Sequence, residues 1–317
     1  MPKPSSPRFS VVLPTYHRVR LLERAIHSVL TQTLSDVELL VVDSGASDET
    51  RLLVESFRDE RITYLRTSGP GRVSAARNLG IRNSSGRYVS LLDDDDEYLP
   101  RFLEETLRTF ERGSGLGFTW GGIRMVHDTP EGETLARERV WRLRFDTPAQ
   151  VRRSRLAASR IGAGFGLTVR RDCFEEVGLF NESLLIEDTD LLLRLLAHGV
   201  RFDSVPEPLV KIHRHAGPKL SRRVLEPEHL EEHERLLDRY AGFLSSHPEI
   251  AANLEDTLCF RRYLRGDRRR ARRLLGQKLQ ARSLTFRSVR ILLYFELVHP
   301  LVTAFQSRHL TSRSSGS

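Results

Sequence analysis

The run Tyr88-Val-Ser-Leu-Leu-Asp93-Asp94-Asp95-Asp96-Glu97 ends an apolar strand in five consecutive acids. Unpaired buried charges are costly and like charges repel, so these acids either form a solvated turn or face a cation. Position favours the cation, because ligands of open α/β sheets bind outside the carboxyl ends of the strands. Carboxylates there, with waters and a substrate's phosphates, suit Mg²⁺ or Mn²⁺. Other strand ends add polar groups: Thr15-Tyr16 after Phe9–Pro14, and Asp43 after Val37–Val42. Together they describe a pocket with a hydroxyl, an aromatic face and a carboxylate suited to an imide N–H or a ribose hydroxyl. Asp43 could instead cap a turn, a task for which Asp48 is better placed. Arg77, on a helix nearby, is expected both to meet a diphosphate and to pair with the acids.

A second carboxylate centre, Glu187-Asp188, opens a leucine-rich helix. A carboxylate anchored this way can take a proton from an attacking hydroxyl; the bland alternative is ordinary acidic charge at a helix start. His213 and His215 are spaced to share one side of an extended strand and could reach a phosphate or a metal. Two other patterns mislead. His229-Leu-Glu-Glu232-His233 matches a zinc-peptidase motif but lies in a polar helix with no third ligand implied. Gly162, Gly164 and Gly166 lack the strand and ribose acid of a dinucleotide loop, so they serve close backbone approach.

The elements that must position these groups alternate between strand and helix. Apolar runs at 9–14, 37–42, 62–65 and 88–92 are separated by helical patterns, which argues for a mostly parallel sheet covered by helices in an α/β fold. A further strand is expected around Phe118–Val126. From His127 to Arg160 the pattern dissolves, as a disordered insert or a loop over the site. Beyond Pro227 the chain reads as helix at about 228–245, 249–264, 267–280 and 284–306. This places a boundary near 225, with a domain over 1–225 and a basic helical appendage over 226–317.

The 317 residues, 39% hydrophobic and 29% charged, suit a soluble globular protein rather than a disordered one. Net charge is +8, yet Leu258–Arg290 alone carries twelve Lys/Arg against one acid, so the remainder is slightly acidic. Cys173 and Cys259 show no metal-ligand spacing and fit a reduced, cytosolic setting. The polar start holds no apolar segment of signal-peptide length, and the sequons at Asn83 and Asn181 are read as chance. The basic tail either solvates helix faces or attaches to an anionic membrane from the inner side. Without a pattern of stacking aromatics, nucleic acid is not the expected partner.

Taken in order, Val11-Val-Leu-Pro-Thr-Tyr16, Val41-Val-Asp43-Ser-Gly-Ala-Ser-Asp48-Glu-Thr50, Ser74-Ala-Ala-Arg77-Asn78-Leu-Gly80, Leu92-Asp93-Asp94-Asp95-Asp96, Phe180-Asn-Glu182 with Glu187-Asp188-Thr-Asp190, and His213-Arg-His215 resemble the motifs of family 2 glycosyltransferases. The likeness spans about 9–220. It departs at Ser44, where the family has a second aspartate, and at His213, where it has arginine. The resemblance implies a GT-A, Rossmann-like fold and an inverting transfer from a nucleoside-diphosphate sugar, commonly of uridine, to a glycan or lipid-linked hydroxyl. It also implies Pro14, Thr15, Tyr16, Arg18, Asp43, Arg77, Asp93 and Asp94 on the nucleotide sugar. Asp95, Asp96 and His215 would hold Mg²⁺ or Mn²⁺, with Asp93 close by, and Asp188 would be the general base. A competing reading is a non-catalytic sugar-nucleotide-binding scaffold docked to a membrane by its tail. The retained Asp188 argues against it, since a pure binder needs no base.

Overall fold

The computed structural model describes residues 6–69, 72–214, 225–280 and 284–295. The chain separates into two compact units, Met1–Gly217 and Pro218–Ser317. In the first unit the runs with apolar residues on both faces become the strands β1 (Phe9–Thr15), β2 (Val37–Asp43), β3 (Ile62–Arg66) and β4 (Tyr88–Leu91). They pair in parallel, in the order β3-β2-β1-β4, with α1 (Val19–Leu30), α2 (Asp48–Ser56) and α3 (Val73–Asn83) as their crossovers. β1 is buried at every residue. Its Pro14 lies beyond the last β1–β4 pair, Val12 with Leu91, so the missing N–H interrupts no ladder there.

Past β4 the sheet becomes mixed. β5 (Asp96–Tyr98), β6 (Leu116–Thr129), β8 (Thr168–Arg170) and β9 (Arg201–Arg214) extend it in the order β4-β8-β6-β9-β5. β8 pairs antiparallel with β4 and β6, β5 antiparallel with β9, and only β6–β9 is parallel. The parallel half is the one the apolar runs predict. In a flat sheet β5 would lie about 19 Å from β4. The chain between Leu91 and Asp96 spans at most about 18 Å. The sheet therefore curls, and Tyr98 of β5 reaches back to Ser90 Oγ at 2.8 Å and donates to the Leu91 carbonyl at 2.7 Å. The acid run is the short bridge across this curl.

The segment expected to be an insert or loop from His127 onward is ordered. β6 runs on to Thr129, turns into β7 (Gly132–Arg139), and α5 (Pro148–Ala158) follows. Every residue of β7 is exposed, so it carries no apolar alternation to read. The helices α4 (Phe102–Arg112), α6 (Arg171–Val177) and α7 (Glu187–Ala197) complete the unit. In the second unit α8 (Pro227–Arg239), α9 (Ala241–Ser245), α10 (Pro248–Arg265), α11 (Arg268–Gln280) and α12 (Phe286–Leu293) occur where helical periodicity places them; the remainder of the expected last helix lies outside the described residues.

α3 lies close on the sheet at Gly80. A Cβ built there would sit 2.5 Å from Val12 Cγ1 and 3.2 Å from Val42 Cγ2. Gly80→Ala is expected to cost about 1–3 kcal/mol through overpacking, against alanine's better helix propensity. Urea unfolding measures it, and a neutral or stabilising result would show that α3 can lift off without loss.

Candidate active site

Parallel pairing puts Thr15 directly beside Asp43, and the chain leaving β4 carries the acids past the end of β1. Thr15 Oγ1 donates to Asp94 Oδ2 at 2.8 Å. Arg18, just before α1, donates through Nη1 to Asp94 at 2.9 Å and to Asp95 at 3.3 Å. Burial pushes the Asp94 carboxyl up to about 6, and the opposing pulls of Arg18 and Thr15 do not cancel it.

Arg77 joins the two carboxylate centres. From α3 its buried guanidinium donates Nη2 to Asp93 at 2.9 Å, and Nη1 to Asp188 at 2.8 Å and Glu187 at 3.1 Å. Burial works against its charge, and the surrounding carboxylates outweigh it. The ring of Phe180 lies 5.4 Å from the guanidinium carbon. The next residue, Asn78, fixes the loop that leads to α7. Its side chain donates to the Phe180 carbonyl and accepts from the Phe180 N–H, both at 2.9 Å, and donates to Glu182 at 2.7 Å. One helical turn thus grips the acids with one residue and their supporting loop with the other.

Asp188 stands in the first turn of α7, with Oδ1 on Arg77 and Oδ2 accepting the Ala163 N–H at 3.0 Å. Its side chain keeps 30% exposure, so it is oriented yet open. Glu187 beside it is buried and pushed up to about 7, by desolvation first and then by Asp188. The Ala163 amide was not foreseen, although the glycines around it were the available signal. Gly164 packs against the acids, since a Cβ there would lie 2.6 Å from Asp93 Oδ2. Gly164→Ala is expected to turn Asp93 away from Arg77. An apparent Mn²⁺ affinity at least about tenfold weaker should follow, read by thermal shift, with the fold retained.

Carboxylate oxygens of Asp93, Asp95 and Asp96 lie within 4.8 Å of one another. Three hard oxygen donors this close fit a divalent ion, with Arg77 on Asp93 and Arg18 on Asp95 at its edge. Asp96 is held in place by the His213 N–H at 3.0 Å. The His213 ring, however, does not face this cluster. It is fully buried, with Nε2 2.6 Å from Glu97 and Nδ1 2.7 Å from Asp128. His215 lies outside the described residues. The oxygens of Glu97 and Glu133 also approach the His213 ring. Lys211 already pairs with both acids of that second group, 3.3 Å from Glu97 and 3.1 Å from Glu133.

Two candidates have other partners. Asp43 is buried and accepts from Gly45 N at 2.8 Å, Ser47 N at 2.9 Å and the Tyr64 hydroxyl at 2.9 Å. Its carboxylate therefore organises the turn into α2, whose N-cap position is Ser47 rather than Asp48. Tyr16 is exposed and packs edge-on to His17, beside a shallow cleft of about 360 Å³ that Arg18 and Ser47 also line. In the second unit the zinc-peptidase pattern gathers no third ligand among the described residues, and burial drives His233 down to about 4.

The sequence profile of Glycosyl transferase family 2 matches residues 10–178. An uncharacterized glycosyltransferase of Rickettsia prowazekii is 29% identical over 244 residues, 75% of this chain and 72% of that protein. A UDP-Glc:alpha-D-GlcNAc-diphosphoundecaprenol beta-1,3-glucosyltransferase of Escherichia coli is 32% identical over 119 residues, 38% of this chain and 47% of that protein. A solved mannosyltransferase of Pyrobaculum calidifontis, in complex with GDP-Man and Mn²⁺, superposes with a TM-score of 0.57 at 18% identity, covering 95% of this chain and 83% of that one. That likeness shows the fold, a mixed α/β GT-A-like architecture with a curled sheet and a C-terminal helical region. The profile covers more than half of the sequence, and the chain belongs to glycosyl transferase family 2.

Proposed function

We propose that this glycosyltransferase moves a sugar from a nucleoside-diphosphate sugar to a hydroxyl of a glycan or lipid-linked acceptor, inverting the anomeric carbon. The observation that carries the reading is the single guanidinium of Arg77 spanning Asp93 of the acid run and Asp188 of α7. The acids and the candidate base therefore lie on either side of one side chain. Asp188 accepts the proton of the acceptor hydroxyl as that oxygen attacks opposite the leaving group. The Ala163 N–H and Arg77 fix the plane of its carboxylate. Asp93, Asp95 and Asp96 would hold Mg²⁺ or Mn²⁺, with His215 as a further ligand by resemblance. Such an ion supplies positive charge to the departing diphosphate. Pro14, Thr15, Tyr16, Arg18, Asp43 and Asp94 form the nucleotide side of the same reading. UDP is the favoured nucleotide, since the Escherichia coli relative is a UDP-glucose enzyme.

The test is a thermal-shift panel of UDP-, GDP- and dTDP-sugars with and without Mn²⁺, followed by donor hydrolysis on any that bind. A metal-dependent rise in melting temperature with a UDP-sugar, and slow release of UDP, is expected. A GDP-sugar in its place would correct the nucleotide. No shift and no hydrolysis with any of them would overturn the reading.

A further inference from the structure

Helix α12 is apolar on both of its faces. Ile291 and, just past the helix, Phe295 pack with Cys259 and Tyr263 of α10 and with Ala271 and Leu275 of α11. At about 100° per residue, Phe286, Val289 and Leu293 fall on the opposite side. There they are exposed, Phe286 by 80% and Leu293 by 47%. A helix on a water-facing surface carries polar residues on that side. Here the exposed polar residues of α12 are Arg287 and Arg290, Leu292 widens the stripe, and α12 contains no acid. α11 is complementary: Ala271 and Leu275 turn inward, while Arg269 and Arg273 project from the opposite face, and it too has no acid.

Exposed aliphatic and aromatic side chains set among arginines match one kind of surface. A second copy of this chain would bring arginines against arginines. Nucleic acid would use the arginines and could stack on Phe286, but it has no use for Val289 and Leu293. A bilayer with anionic headgroups accepts both the charge and the apolar stripe. No helix among the described residues is long and apolar enough to cross it. We propose that α11 and α12 form an interfacial docking surface for an anionic lipid bilayer. Phe286, Val289 and Leu293 enter the boundary between headgroups and acyl chains, and the arginines engage lipid phosphates. The inference stands independently of the donor and acceptor.

The full chain should float with vesicles of mixed phosphatidylglycerol and phosphatidylcholine, and not with phosphatidylcholine alone. Binding should weaken as salt rises. The double variant Phe286→Ser, Leu293→Ser should lower the vesicle partition coefficient at least about tenfold while melting temperature and sugar-nucleotide shifts stay unchanged. Arg269→Glu with Arg273→Glu, altering exposed residues only, should do the same. The proposal is overturned if wild type ignores the anionic vesicles or binds neutral ones equally. It is also overturned if both double variants float like wild type, if the serine pair instead dissolves a stable dimer, or if an RNA or DNA oligonucleotide binds more tightly than the vesicles.

Discussion

Arg77→Met is expected to destabilise the Met1–Gly217 unit by about 3 kcal/mol at pH 8 and by much less at pH 5. The variant leaves Asp93, Glu187 and Asp188 facing one another without the cation they share. Removing one partner of a buried ion pair hurts because the charges left behind have lost both water and partner. Protonation is the available relief, which sets the direction with pH. Glu187 titrates near 7 in the folded chain against an ordinary 4.5, so between those values the folded form keeps a proton that the unfolded form has released. Its contribution to stability therefore falls as pH rises through that window. Without Arg77 the carboxyls hold their protons more firmly, and the fall steepens. Both tryptophans, Trp120 and Trp141, are buried in this unit, so denaturant unfolding followed by intrinsic fluorescence reports on it directly. Arg77→Lys should recover only part of the loss, since a point charge cannot fork to Asp93 on one side and Asp188 on the other. A loss equal at pH 5 and pH 8 would mean that Arg77 acts by packing against Phe180 rather than by charge.

That network marks the limit of what could be read from the letters. Strands such as Val11–Leu13 and Leu39–Val42 announce themselves because both faces are buried and the apolar run is continuous. β5 is hidden, because its three residues, Asp96 to Tyr98, begin inside the acid run and pair only after the sheet has curled. β7 is hidden for the opposite reason: solvent meets both of its faces, and no period of two survives. At the site, residue types were legible and partnerships were not. Arg77 and Asp188 are 111 positions apart, so which acids the arginine pairs with is fixed only by the fold. His213 shows the hazard of spacing arguments. The strand does extend through it, but β6 and β5 close over its ring with Asp128 and Glu97. At Asp43 the residue type is legible at the strand end, and the three donors of the protein itself that meet its carboxylate are not.

Asp188→Asn should reduce turnover by about a hundred- to ten-thousand-fold while leaving the donor-induced thermal shift intact. The amide keeps the shape of the carboxylate but cannot accept a proton from an attacking hydroxyl. One complication follows from the geometry. Both Asp188 oxygens face donors, the Arg77 guanidinium and the Ala163 N–H, so an amide must turn its NH₂ towards one of them. That mismatch costs about 1–3 kcal/mol and could by itself disturb the site. Two measurements separate position from chemistry. Gly164→Ala perturbs the same surroundings through Asp93 and leaves the carboxylate in place, so its loss should appear as weaker Mn²⁺ and donor binding. Asp188→Asn should instead retain binding and lose the transfer step, read as a slower single-turnover rate. If the asparagine variant folds, binds donor and still transfers sugar within about tenfold of wild type, a proton-accepting role of the expected size is excluded. The base must then be sought elsewhere in the site, where Glu187 is the nearest carboxyl on the same turn of α7.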